Sequence, residues 1–102
     1  MLKRRKTIGE MRAAFEWKVP GRFNIGVDIC DHVAARTPNE PAIIDGEVTT
    51  SFAELRALSN QLANVLSDSA KPGNRVAVLL PQSLETAIAH IAVLKMGAIS
   101  IP

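Results

Sequence analysis

The stretch RVAVLLPQSLETAIAHIAVLKMGAISI, residues 75–101, constrains the fold more than any other part of the chain. It opens on Arg75–Leu80, an almost uninterrupted apolar run of strand length. An alternating pattern marks a strand with one wet face, whereas an unbroken one marks a strand covered on both. Pro81-Gln82-Ser83 turns the chain, Ser83 is a good N-cap, and Leu84 to Met96 reads as a helix. Its apolar residues (Leu84, Ala87, Ile88, Ile91, Ala92, Val93, Leu94) cover most of the circumference, so the helix is expected to be largely buried. Gly97 stands where a left-handed C-cap is usually needed, and Ala98–Ile101 is a second buried strand. Strand, helix and strand joined over Pro81 to Gly97 make a βαβ unit, with parallel strands and a right-handed crossover. The fold class is α/β.

Upstream, the elements are read from their boundaries. GEMRAAFEWK, Gly9 to Lys18, is a short helix ended by Pro20-Gly21. A second helix follows, with Asn24 able to N-cap it, Asp28 and Asp31 early, and Arg36 late, the charge order that a helix dipole favours. Ile29, Cys30, Val33 and Ala34 form its apolar stripe, and Thr37-Pro38 closes it. Pro41–Asp45 and Glu47–Phe52 read as a hairpin about Gly46, with Asp45 and Glu47 as solvated turn residues. Ser51 with Glu54 three residues on is a capping box, the clearest helix start in the chain. Phe52, Leu55, Leu58, Leu62, Val65 and Leu66 then recur at helical spacing as an inward face, until Pro72-Gly73 breaks the chain.

Composition removes several classes of function. A chain of 102 residues, 47% of them hydrophobic, fits one small domain or part of a larger one. No apolar run approaches the roughly 20 residues that span a bilayer. One cysteine, Cys30, excludes an internal disulfide and suits a reducing compartment, so a soluble, cytoplasmic chain is expected. Net charge is +2, but four of the 12 basic residues are Lys3, Arg4, Arg5 and Lys6, and the remaining body carries 8 basic against 10 acidic residues. That body has no basic surface for phosphates, and Phe15, Trp17, Phe23 and Phe52 with no tyrosine are thin material for stacking bases. No nucleic-acid partner is expected. The run Lys3–Lys6 fits a nuclear signal, a nucleic-acid arm, the start of a transit peptide or a solvated tail; residues 1–8 are read as a basic, disordered start.

No catalytic, cofactor-binding or metal-binding residue is assigned. The turn after Arg75–Leu80 has no glycine for close backbone approach to a pyrophosphate, and there is no G-x-x-x-x-G-K-[ST] loop. Ser83 lacks the G-x-S-x-G elbow of a nucleophile and is read as a cap. In DICDH, Asp28 and His32 share a helical face, while Cys30 is about 200° away, and two ligands do not make a zinc site. His90, inside the apolar helix, is read as a packed histidine with one hydrogen bond.

SFAELRALSNQLANVL followed by GNRVAVLLPQSLETAIAHIAVLKMGAISIP resembles the N-terminal part of the adenylate-forming enzymes, the AMP-dependent acyl-CoA synthetases and their luciferase and peptide-synthetase relatives. The family's [ST]-[FY]-x-E-L segment is matched by Ser51-Phe52-Ala53-Glu54-Leu55, and its L-K-x-G-x-x-x-x-P segment by Leu94, Lys95, Gly97 and Pro102. DICDHVAARTPNEPAIID is similar to the family's opening helix and first strand, and the texture is that of the acetyl- and medium-chain acyl-CoA synthetase branch. The likeness runs from about Phe23 to Pro102.

The resemblance implies that residues 9–102 are a partial AMP-binding domain, cut at its C-terminal end. Its parent would be an ATP-dependent acid–thiol ligase using ATP, Mg2+ and coenzyme A. The phosphate loop, the magnesium acid, the ribose aspartate and the C-terminal lysine of that family match no position here, so the chain alone is expected to be inactive. Its partner would be the remainder of the synthetase, or another copy of itself through the uncovered strands Arg75–Leu80 and Ala98–Ile101. Leu79, Leu80, Ile99 and Ile101 left bare would each forfeit roughly 1.5–3 kcal/mol, so the isolated chain is expected to be marginal, self-associating or partly molten. A small stand-alone interaction module is the alternative, and a nucleic-acid role through Lys3–Lys6 the weakest reading.

Overall fold

The computed structural model describes residues 4–102, so Lys3 of the basic run lies outside the described residues. A first helix, α1 (Ile8–Ala13), is capped by the Thr7 hydroxyl, which accepts from the Glu10 amide at 3.2 Å. The helix expected over Gly9–Lys18 stops at Ala13, because none of its residues is buried and no layer supports a further turn. Beyond it, Phe15 and Trp17 meet edge to face, 5.0 Å between centroids, while Trp17 stays 80% exposed.

The second helix begins with a π-helical turn, Val27–Asp31, and continues as α2 (His32–Arg36). Asn24 caps it as expected, its Oδ1 accepting from the Val27 amide at 3.0 Å. The π turn was not legible, and it lies where the helix crosses another at close range. A Cβ on Gly26 would come within 2.9 Å of the Ile91 carbonyl oxygen and the Lys95 amide nitrogen. Only glycine allows that approach.

The hairpin pairs β1 (Pro41–Asp45) antiparallel with β2 (Val48–Ser51), and its register shifts between Pro41 and Ile43. Gly46 takes φ +58 in the two-residue turn. Glu47 lies in that turn rather than in the strand, and Phe52 opens the next helix. That helix, α3 (Phe52–Leu66), carries the complete capping box, with Ser51 Oγ accepting from the Glu54 amide at 3.3 Å and Glu54 Oε2 from the Ser51 amide at 2.8 Å. The Phe52 and Ala53 amides donate to the Glu40 and Pro38 carbonyls, so the loop before β1 completes the cap.

The βαβ unit is present as β3 (Arg75–Ala77), α4 (Leu84–Lys95) and β4 (Ile99–Ile101), with β3 and β4 parallel in the register Arg75↔Ile99, Val76↔Ser100, Ala77↔Ile101. Gly97, at φ +73, ends α4 in a Schellman motif: its amide donates to the Leu94 carbonyl and the Ala98 amide to that of Val93. The first strand is shorter than the apolar run. Its last bond to β4 is from the Val78 amide to the Ile101 carbonyl, and Leu79 and Leu80 are 97% and 51% exposed. Coverage on both faces also fails. Val76, Val78 and Ser100 are half-buried on one face, whereas Arg75, Ala77, Ile99 and Ile101 alternate with them on an exposed one.

The core gathers Cys30, Leu55 and Ile91 with Ala42, Ile43 and Ile88 around them. In α3 the inward face centres on Leu55 and Ser59, while Leu58 and Val65, expected inside, are exposed. In α4 only Ile91, Ala92 and Val93 are fully buried. The Cα radius of gyration is 16.6 Å, against about 13 Å for a compact chain of this length. The accessible surface of 7919 Å² exceeds the roughly 5,600 Å² of a monomer of this mass. Among the described residues no helix is long and apolar enough to cross a membrane.

Candidate functional site

The most densely organised polar site is built around Lys95, the last residue of α4. Its side chain is 6% exposed, and its ammonium donates to Ser59 Oγ at 2.9 Å and Asn60 Oδ1 at 2.8 Å, both on α3. Asp31 Oδ2, from the π turn, lies 2.8 Å away as an ion pair without hydrogen-bond alignment. The Lys95 carbonyl accepts from Asn24 Nδ2 at 2.9 Å. One residue thus ties together the helix holding Asn24 and Asp31, the helix holding Ser59 and Asn60, and its own. Ser59 Oγ also donates to the Leu55 carbonyl at 2.7 Å and lies 3.9 Å from the buried Cys30 thiol. This site positions helices; with all its members paired to one another, it presents no free nucleophile.

Sequence reasoning singled out Lys95 but missed Asn24 Nδ2, Asp31, Ser59 and Asn60 as its partners. The signal that was present is positional: Ser59 is a polar residue four after Leu55, on the apolar face of α3, and Lys95 ends a helix that is otherwise apolar.

The other singled-out residues fall where their spacing places them. His32 Nδ1 and Asp28 Oδ1 are 3.3 Å apart on an exposed face, and Cys30 points into the core. No group of three or more His, Cys, Asp and Glu residues gathers among the described residues. His90 Nδ1 meets Ser100 Oγ at 2.6 Å, one bond joining α4 to β4. Ser83 takes the extended N-cap conformation, but its hydroxyl bonds no helix amide and lies 3.5 Å from Thr86 Oγ1. Asp45 and Glu47 are exposed beside the hairpin turn.

At the start of α3, Ser51 and Glu54 are coupled electrostatically. The Ser51 hydroxyl, and after it the Ser51 amide, hold the Glu54 carboxyl below its ordinary value of 4.5. Shallow concavities near α1 are lined by Arg4, Arg5, Lys6, Glu10, Ala13 and Ala14, away from these motifs.

The second surface of interest is the bare side of the β3–β4 pair, which brings Leu79, Ile99 and Ile101 to solvent. A two-stranded parallel sheet with one helical layer is an unfinished form of an architecture that is otherwise covered on both faces.

Comparison with known proteins bears on that incompleteness. A family model described as AMP-binding enzyme matches residues 30–102. The mitochondrial acyl-coenzyme A synthetase ACSM3 of Pongo abelii is 35% identical over 104 residues, a match covering 90% of this chain and 18% of that protein. Among solved structures, the N-terminal subdomain of Klebsiella oxytoca NpsA superposes with a TM-score of 0.72 at 30% identity, over 78% of this chain and 21% of that one. A Mycobacterium tuberculosis fatty acyl CoA synthetase gives a TM-score of 0.72 at 32% identity, over 78% and 16%.

Proposed function

The chain belongs to the AMP-binding enzyme family, as an N-terminal portion of the adenylate-forming fold, and from that premise we propose that it serves an ATP-dependent acid–thiol ligase. Such a ligase joins a carboxylic acid to ATP as an acyl-adenylate with loss of pyrophosphate, then passes the acyl group to the coenzyme A thiol with loss of AMP. The observation that carries the reading is the superposition of 78% of this chain on an N-terminal subdomain with a TM-score of 0.72.

The residues described here do not themselves fit ATP, Mg2+ or coenzyme A. The β3–α4 turn, Pro81-Gln82-Ser83, has no glycine to admit a phosphate against the backbone, and no three metal-ligating side chains converge among the described residues. We assign no catalytic, cofactor or metal role to any of them. The contribution of this chain is structural. The Lys95 junction fixes three helices, and α4 sets the parallel pair that further strands and helices of the ligase would cover. The chain matches 18% of the length of its ACSM3 relative, and the remainder of such a synthetase is its proposed partner. The buried, unpaired Cys30 fits a reducing compartment, in line with a cytoplasmic setting.

A chimaera tests the proposal. The chain replaces the matching segment of a related acyl-CoA synthetase, and acid-dependent exchange of pyrophosphate into ATP is measured. The chimaera should exchange pyrophosphate, and the chain alone should not. A folded chimaera without exchange, or exchange by the chain alone, would refute it.

A further inference from the structure

Just after the closing turn of α1, the stretch FEWKV, Phe15–Val19, is built as a two-faced extended segment. Apolar and charged residues alternate strictly along it, which is the period of a strand. The contacts keep that period on both sides. Phe15 meets Trp17 edge to face at 5.0 Å, and the Lys18 ammonium lies 4.0 Å from the Glu16 carboxylate, each a pair two residues apart. One face therefore presents Phe15, Trp17 and Val19, and the other Glu16 and Lys18. All three apolar residues are exposed, and no described element covers them. Gly21 and Arg22 then bend the chain, and Asn24 beyond them is tied to the Lys95 carbonyl, so the far end of the segment is anchored.

We infer that Phe15–Val19 is a strap that lies across the downstream part of the ligase, with its Phe15, Trp17 and Val19 face seated on an apolar surface there. The inference rests on the ligase reading and names the segment and the face by which this chain holds its remainder. Two observations select that occupant. The ACSM3 match takes up 90% of the chain, so no more than a tenth is left out at the two ends together, and Phe15–Val19 lie inside the match. The strap is thus shared with a synthetase of which the match is only 18%, and is no appendage peculiar to this chain. The charges of the strap also cancel, Glu16 against Lys18, so nothing on it selects an anionic lipid or a nucleic acid. What it offers is aromatic area, as two rings already set against each other, which lose little freedom when they are covered.

The test is native-state trypsin digestion of the same chimaera, with the cuts timed by mass spectrometry. Arg4, Arg5 and Lys6, exposed ahead of α1, serve as the internal reference for an open site. Cutting after Lys18 and Arg22 should be about tenfold slower than at that reference, or slower still. Trp17→Ala should remove the protection, Trp17→Phe should keep most of it, and Glu16→Gln, on the outer face, should leave it unchanged. Lys18 and Arg22 cut as fast as the reference overturn the inference, as does Trp17→Ala without effect. Equal loss of protection in Trp17→Ala and Glu16→Gln also overturns it, because the strap would then be held without regard to face. Protection that appears only when phosphatidylglycerol vesicles are added would give the face to a membrane and overturn the ligase as occupant. The digestion needs no nucleotide, so a chimaera that protects the strap yet exchanges no pyrophosphate counts against the assigned reaction and not against the strap.

Discussion

Lys95 carries more of the fold than any other polar residue, because its ammonium and carbonyl join two other helices to its own. Lys95→Met keeps the length and apolar stem of the side chain but leaves Asp31 without its cation, and should cost about 3 kcal/mol in urea unfolding. The double variant Lys95→Met/Asp31→Asn should recover part of that loss, since the stranded charge is removed with its partner. Gly26 makes the complementary case. Alanine favours a helix over glycine by about 1 kcal/mol, yet a Cβ here would press on the Ile91 carbonyl and the Lys95 amide, backbone atoms that cannot rotate away. Gly26→Ala is therefore expected to lower the urea midpoint. At this scale the sequence was informative only locally. Asn24 as a cap was legible because its target amide is three residues on, whereas its second bond, to a carbonyl 71 positions away, leaves no local trace.

Elements whose cause is local came out as their residues dictate, and those whose cause is a neighbour did not. The start of α3 is the local case. Glu54 is held below its ordinary value by Ser51, so the capping box contributes stability that is present above the unfolded glutamate pKa and fades as pH falls through the folded one. Ser51→Ala should cost about 1 kcal/mol near neutral pH and flatten the decline of stability on the acid side of 4.5, read from urea midpoints across that range. The Schellman end of α4 was legible in the same way from Gly97 alone. By contrast, β3 is three residues long although six apolar-rich residues favour a strand, because strand length is set by pairing and β4 pairs with Arg75–Ala77 only. The inward face of α3 reads as apolar through Leu58 and Val65, and both are exposed for want of a second layer. The π turn at Val27–Asp31 answers to the crossing at Gly26, a tertiary fact.

At the scale of the molecule the chain is extended, with principal extents of 48 × 35 × 27 Å and more surface than its mass calls for. The expectation that the strands lie bare is met by Leu79, Leu80, Ile99 and Ile101, each 42% exposed or more. The distances that Lys95 spans along the chain also bear on time. Its side-chain partners on α3 lie 35 and 36 residues away, so none of those bonds forms until two helices have already met. Such contacts are absent from a folding nucleus made of nearer neighbours. Lys95→Met should leave the refolding arm of the chevron almost unmoved and speed escape from the native state. The junction would then govern how long the chain stays folded, and have little say in how quickly it gets there.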